Sequence, residues 1–421
     1  MNEVAYFPQI ESIKKAKENI KKIISETPIQ KNLRLSNEFD SNIFLKREDL
    51  QIVRSYKLRG AFNKIQSLHS QSKVNNGVVC ASAGNHAQGV AYSCSILKIK
   101  GVIFMPITTP KQKLEQVQMF GGDYAEIKLV GDTFDDSKNA AIAYSQETNA
   151  AFIHPFDDPL IIEGQATVGL EILQQLENKI DYVFIPIGGG GLAAGISSVF
   201  KQLSPETKLI GVEPKGAPSM KTSIKNDCNT ELEKIDKFVD GAAVQKVGDL
   251  TFDICKSNLH DCITVDEGKV CDIILQMYNR DAIVLEPAGA LSVAALEKYK
   301  EEIKGKNVVC ILSGSNNDIT RMEEIKERAL LYNGLKHYFI INFPQRAGAL
   351  RELVNEVLDA SNDISYFQYI KKNNKETGPA VVGIELDKKE DFDSLIFRLK
   401  NHNFEYQYLN TDNKLFSLMI G

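Results

Sequence analysis

Asp181-Tyr-Val-Phe-Ile-Pro-Ile-Gly-Gly-Gly-Gly-Leu-Ala-Ala-Gly195 is the stretch on which the reading of this chain turns. Its first half is apolar and partly β-branched, which predicts a strand buried on both faces. Four glycines then stop the strand before helix-forming residues begin. Glycines let a backbone wrap a tetrahedral anion, and a helix N-terminus aims unpaired N–H groups and a positive dipole end at it. A phosphate-binding turn is therefore expected at Gly188 to Gly191. An ordinary tight turn explains the segment poorly, because four successive glycines cost more chain entropy than a turn requires. Val183 to Phe200 is also eighteen residues without a charge. The glycines, Pro186 and two serines make it a poor lipid-facing helix, so it reads as strand, turn and buried helix start, with no membrane span.

Outward from this turn, apolar runs alternate with helical patterns. Gly77 to Cys80, Gly101 to Met105, Tyr182 to Ile185, Lys208 to Val212 and Asn307 to Leu312 read as strands, whereas Lys111 to Phe120 and Thr167 to Glu177 carry helix-type spacing. The order predicts an α/β fold with parallel sheets and a ligand at the carboxyl ends of the strands. Composition agrees with an ordinary globular protein: 421 residues, 43% hydrophobic and 25% charged, with a formal net charge of −5. That charge is too weakly balanced towards lysine and arginine for nucleic-acid binding by counterion release. The start, Met1-Asn2-Glu3-Val4, lacks a secretory pattern, and a cytoplasmic location is expected. Seven scattered cysteines without a CxxC pair read as reduced core residues, implying neither a disulfide framework nor a metal site.

After about residue 320 the pattern changes. Arg321 to Leu331 reads as a charged connecting helix. His337 to Phe343, Ile364 to Lys371 and Ala380 to Leu386 read as strands, and Ala347 to Leu358 and Asp391 to Lys400 as helices. Glu405 to Leu409 and Leu415 to Ile420 are expected to supply a split closing strand, and Asn373 to Pro379 the central turn. The order is βαββαβ, that of a separate ferredoxin-like domain.

The glycine turn alone leaves the phosphate compound open. Read as GxGxxA it passes a loose dinucleotide fingerprint, and Glu213 stands 25 residues after Gly188. A nicotinamide-dependent dehydrogenase is thus the rival reading, but it gives no task to Ser55-Tyr-Lys-Leu-Arg-Gly-Ala61 or Ser82-Ala-Gly-Asn-His-Ala-Gln-Gly89. Taken singly, Lys57 has the features of any solvated helix lysine, and Asn85 those of a helix cap.

Together these segments resemble the β-family (tryptophan synthase-like) pyridoxal phosphate enzymes, and within them the biosynthetic threonine ammonia-lyases with one ACT-like domain. The resemblance rests on Lys46-Arg-Glu-Asp-Leu-Gln51, Ser55 to Ala61, Ser82 to Gly89, Gly188 to Leu192, Glu286-Pro-Ala-Gly-Ala290 and Leu312-Ser-Gly-Ser-Asn316, in that order, with Asn342 to Arg351 similar to the start of an ACT-like module. Ser315 and Ala347 depart from the usual glycine and proline. The resemblance implies a tryptophan synthase β-like catalytic domain over 1–320, with a smaller subdomain inserted at about 50–155, a connecting helix over 321–335 and an ACT-like regulatory domain over 336–421.

It further implies that Lys57 carries pyridoxal 5'-phosphate as a Schiff base, that Gly188, Gly189, Gly190, Gly191 and Leu192 cradle the phosphate, that Tyr56 borders the ring and that Asn85 bonds its hydroxyl. Ser313 or Ser315 meets the pyridine nitrogen, with Ser313 favoured. Backbone amides around Ser82, Ala83, Gly84, Asn85 and His86 hold the substrate carboxylate, with His86 as an orienting neighbour. A neutral hydroxyl at the ring nitrogen favours prompt β-elimination, with Lys57 as general base, so the implied reaction is deamination of L-threonine to 2-oxobutanoate and ammonia, with L-serine as a side substrate. The racemases of the family carry a serine where Ala83 stands, which weighs against racemisation. Ser219 replaces an acid of their divalent-metal segment, so Glu213 is expected to be an ordinary carboxylate. The second domain implies feedback control by isoleucine, the end product of the pathway, in a homo-oligomer, expected to be a tetramer. A plain oligomerisation role for that domain, a catabolic serine/threonine dehydratase and an inactive amino-acid sensor are the alternatives.

Overall fold

A computed structural model describes residues 6–369 and 376–419. The chain divides into two compact units, Met1–Ile319 and Thr320–Gly421. The first unit holds two sheets. The larger has six strands in the order Ile29–Lys31, Asn42–Arg47, Asn307–Leu312, Tyr182–Pro186, Lys208–Pro214 and Asp261–Val265, with only the first pairing antiparallel. The smaller is wholly parallel, in the order Ala125–Leu129, Gly101–Met105, Val78–Ala81 and Ala151–Phe152. Val78–Ala81, Gly101–Met105 and Tyr182–Pro186 are buried along their whole length, as strands covered by helices on both faces must be.

The helix Pro159–Gln175 is the centre of the unit. Asp158 caps it by accepting from Leu160 N (2.9 Å) and Ile161 N (3.3 Å), and Pro159 suits its first turn because no N–H is needed there. The helix Lys57–Ser70 crosses it so closely that a Cβ on Gly164 would lie 2.6 Å from Gly60 Cα. Beside that crossing lie two cations and two anions. Arg59 donates to Glu48 at 2.8 Å through both Nε and Nη2, and to Glu171 at 2.6 and 2.8 Å; Lys46 Nζ donates to Glu171 at 2.6 Å. All four residues are buried. Burial opposes ionisation of Glu48, yet the Arg59 charge and bonds, with Lys46 and Thr27, hold its carboxyl below the usual range.

In the second unit four antiparallel strands lie in the order Asp363–Tyr369, Thr377–Glu385, Lys336–Pro344 and Glu405–Tyr408, so the first strand in sequence is central, as in a ferredoxin-like sheet. Asp391–Asn401 and a short helix, Ala349–Glu352 continued by a π turn through Val357, bury Leu353, Val357, Leu395 and Leu399 on one sheet face. The expected central turn lies partly outside the described residues, and Thr377 to Pro379 of it belong to a strand.

The expected closing strand at Leu415 to Ile420 is wrong: Asn413–Met419 is a helix, and Ile420 lies outside the described residues. Asp412 starts that helix by accepting from Lys414 N (3.2 Å) and Leu415 N (3.1 Å). The Asn410 side chain also accepts from Tyr338 N through Oδ1 and donates to Lys336 O through Nδ2, both at 2.8 Å, where the chain leaves the sheet. In helical form Leu415 and Phe416 cover Tyr338 and Leu409 on the second sheet face. Six cysteines are buried as expected, and Cys228 is exposed.

Arg59→Met would leave Glu48 and Glu171 buried beside a single cation. We expect a loss of about 3–5 kcal/mol in stability by urea unfolding, the usual cost of breaking a buried pair from one side.

Candidate active site

The residues singled out in the sequence gather at the carboxyl ends of the parallel strands. Gly188 follows Tyr182–Pro186, Ser313 follows Asn307–Leu312 and Ser82 follows Val78–Ala81. Backbone pairing joins segments far apart in the chain: Tyr56 N donates to Ser313 O (3.2 Å), Ser315 N donates to Arg54 O (2.9 Å), and Ser55 bridges Gly314. The approach to Lys57 and the Ser313 loop are therefore one piece.

Lys57 opens its helix, and its Nζ donates to the Pro155 carbonyl at 2.9 Å. Burial pulls its pKa down to about 8, against the attraction of Glu286. The amine is thus neutral in a minority of molecules near neutral pH, yet far more often than an exposed lysine would be. The Tyr56 ring lies beside it, 5.4 Å from centroid to Nζ.

The glycine turn runs into the helix Gly191–Leu203, at whose start Ala194 N donates to Gly190 O at 2.8 Å. Among the described residues no acceptor meets the buried N–H groups of Gly190, Gly191 and Leu192. Buried donors are rarely left bare, and a helix start that offers three of them suits an anion. Gly190 has φ +94°, open to glycine and costly for other residues, and a Cβ on Gly189 would fall 2.2 Å from the Phe156 ring.

At Ser82 to His86 the helix cap is not Asn85. Gly84 is the N-cap of the helix Asn85–Leu97, and the Asn85 amide turns away to donate to Glu286 at 2.6 Å. Asn85 Oδ1 accepts from Asn316 Nδ2, also at 2.6 Å. Nothing lies within 4 Å of where a Cβ on Gly84 would stand, so open space adjoins this helix start. His86 is buried, with Nε2 at 2.9 Å from Ile153 O and Nδ1 without a partner. Burial first, then Lys57, lowers its pKa to about 3, so it is neutral.

Of the two serines, Ser315 Oγ donates to Asp49 O at 3.3 Å, while no partner among the described residues occupies Ser313 Oγ. Glu213 accepts from Met220 N (2.7 Å) and Lys221 N (2.9 Å) at the start of the helix Ser219–Asn226, which leaves it no freedom to hold a ribose. Among the described residues no group of three or more His, Cys, Asp or Glu is placed to hold a metal ion.

Three contributors escaped the sequence reading. Glu286 was visible only as part of a motif; burial first, then Asp240, raises its carboxyl to about 7. Pro155 acts through a carbonyl, which leaves no side-chain signal. Thr251 Oγ1 donates to Gly189 O at 2.6 Å, and an isolated threonine on a helix announces nothing.

A lysine amine, a bare helix start after glycines and a free serine hydroxyl fit a phosphorylated aldehyde of the pyridoxal type. Residues 20–314 match the family described as pyridoxal-phosphate dependent enzyme, and residues 327–419 the C-terminal regulatory domain of threonine dehydratase. The L-threonine dehydratase biosynthetic IlvA of Halalkalibacterium halodurans is 56% identical over 412 residues, 98% of this chain and 99% of that protein. The chain belongs to the threonine dehydratase family.

Among solved structures, the processed form of threonine deaminase isoform 2 from Solanum lycopersicum superposes with a TM-score of 0.72 at 39% identity, over 77% of this chain and 90% of its own. Maize serine racemase reaches the same TM-score at 29% identity, over 78% and 99%. The framework of this chain is thus similar to that of a threonine deaminase and of a serine racemase. The family assignment replaces the dinucleotide reading.

Gly190→Ala would add a Cβ 2.8 Å from the Thr251 side chain at a φ that costs alanine about 1–3 kcal/mol. We expect roughly tenfold weaker binding of pyridoxal phosphate, read by fluorescence titration of the apoenzyme.

Proposed function

We propose that this threonine dehydratase deaminates L-threonine to 2-oxobutanoate and ammonium as the first step of isoleucine biosynthesis. The observation that carries the reading is the convergence of the Lys57 amine and the glycine turn on one stretch of chain, Pro155 and Phe156. The bound cofactor supplies an electron sink for the substrate α-carbon.

In this reading Lys57 is the attachment point and, once freed by the substrate amine, the general base for the α-proton. A pKa of about 8 suits the task, since a strongly basic amine would stay protonated and a weakly basic one would pull too little. Gly188 to Leu192 hold the phosphate through backbone N–H groups. Ser313 meets the pyridine nitrogen, a reading supported by the commitment of Ser315 to Asp49. Asn85 offers its remaining amide hydrogen to the ring hydroxyl, because Glu286 fixes which end of the amide is the donor. Tyr56 borders the ring. The start of the Asn85–Leu97 helix, from Ser82 to His86, receives the substrate carboxylate, and the open space at Gly84 supports this.

The overall change removes the α-proton and the β-hydroxyl, and the resulting enamine tautomerises and is hydrolysed to the oxo acid and ammonium. Ala83 has no hydroxyl to deliver a proton to the opposite face of the α-carbon, which supports elimination over racemisation. L-Serine, lacking one methyl, is a side substrate, since a methyl contributes only about 1–3 kcal/mol to discrimination.

The domain reading is residues 1–320 as catalytic part, with the smaller subdomain at about 50–155, 321–335 as connector and 336–421 as the ACT-like regulatory part. Isoleucine is its effector, the working form is a homotetramer, and the location is cytoplasmic. No helix among the described residues is long and apolar enough to cross a membrane.

Lys57→Ala is expected to abolish both the visible absorption of the bound cofactor and the release of 2-oxobutanoate; retention of both would refute the assignment. Removal of residues 320–421 is expected to leave threonine turnover while abolishing inhibition by isoleucine. Persistence of inhibition in steady-state assays would place the effector elsewhere.

A further inference from the structure

The turn after the strand Ala151–Phe152 has no place in the motifs described so far, yet four consecutive residues each hold a different part of the site. The Pro155 carbonyl receives Lys57 Nζ. The Phe156 ring fills the space beside Gly189, and its backbone carbonyl lies 3.0 Å from where a Gly191 Cβ would stand. Asp157 accepts from Asp249 N (3.0 Å) and Thr251 N (3.2 Å), and Thr251 in turn bonds the Gly189 carbonyl. Asp158 caps the Pro159–Gln175 helix and pairs with Lys64 on the lysine-bearing helix.

His154 shapes this turn. Its Nδ1 accepts from Phe156 N (3.3 Å) and Asp157 N (2.7 Å), the pair of bonds that an asparagine or aspartate oxygen makes in an Asx turn. Both partners are backbone donors, so Nδ1 must carry its lone pair and Nε2 the hydrogen. Burial, followed by the positive charge of Lys138, lowers the imidazole pKa to about 4, which keeps that lone pair available at neutral pH. The ring also meets Phe156 edge to face, with centroids 4.7 Å apart, and Phe152 at 6.2 Å.

We propose that His154 is a positioning residue for the cofactor site: its Nδ1 sets the 154–158 turn so that the Pro155 carbonyl meets the Lys57 amine and Phe156 closes the glycine turn. This rests on the reading of Lys57 and Gly188 to Leu192 as the cofactor site. A merely structural histidine would contribute through its ring contacts, whereas the proposed role requires the acceptor at Nδ1.

Two substitutions separate these contributions in the full-length enzyme. His154→Phe keeps an aromatic ring and removes the acceptor; His154→Asn removes the ring and keeps an oxygen able to receive the same two N–H groups. Pyridoxal phosphate is titrated into each apoenzyme by fluorescence, with the visible spectrum of the loaded protein and the thermal midpoint of the apoprotein recorded alongside. We expect His154→Phe to bind the cofactor roughly tenfold more weakly with an altered visible band, and His154→Asn to stay within about threefold of the parent. Unchanged affinity and spectrum in His154→Phe overturn the proposal, as does an equal loss in His154→Asn. If His154→Phe does not fold, the threefold threshold on His154→Asn decides alone. Lys57→Ala in the same titration tests the underlying site: an unaltered visible band there sinks the site assignment itself, a result distinct from any outcome at His154.

Discussion

Four buried charges hold the working end of this protein together. Arg59 bonds two carboxylates that sit on different elements, Glu48 after a strand and Glu171 on the central helix, and Lys46 completes the neutralisation. Such a set gains little stability over apolar packing, because desolvation consumes most of the Coulomb attraction. Its geometry is demanding, however: a planar guanidinium with two bidentate partners admits one arrangement. Arg59 stands two residues after Lys57, so that arrangement constrains the direction in which the lysine helix starts, and the Gly60–Gly164 crossing beside it is close because neither residue carries a Cβ.

Around Lys57 the same low-dielectric surroundings act on groups of opposite kind. Burial disfavours charge on the amine and on the Glu286 carboxyl alike, lowering one to about 8 and raising the other to about 7. Both titrate within reach of neutral pH, so either can change protonation at little cost when a charged substrate enters. His86 and His154 are held neutral by the same burial and serve as hydrogen-bonding groups with fixed roles.

The glycine turn was legible in the sequence because wrapping an anion demands glycines followed by a helix start, whereas Lys57 and the Ser82 to Gly89 segment stood out only through the family resemblance. The parallel strands were legible because burial on both faces leaves unbroken apolar runs. The last helix was missed although Leu415, Leu418 and Met419 stand at the i, i+3, i+4 spacing of a helix; the run is too short for that spacing to decide, and the outcome lies with Asn410 and Asp412, whose side chains satisfy backbone groups of a distant strand and of the following turn. The Pro155 carbonyl and the His154 acceptor were hidden for a related reason. A main-chain oxygen has no identity in the sequence, and a histidine that accepts two local N–H groups looks like any other histidine until the turn is seen.

The stitching of Arg54, Ser55 and Tyr56 to Ser313, Gly314 and Ser315 bears on how the molecule comes into being. Half of that seam is made early in translation and the other half only after some 250 further residues have been added. A growing polypeptide cannot complete the pocket while Asn307–Leu312 is still inside the ribosome, since that strand is inserted between two earlier ones. Assembly of the pocket is thereby postponed until nearly the whole first unit has left the exit tunnel, and a product that ends before Asn307 lacks both the inserted strand and the loop that closes the seam.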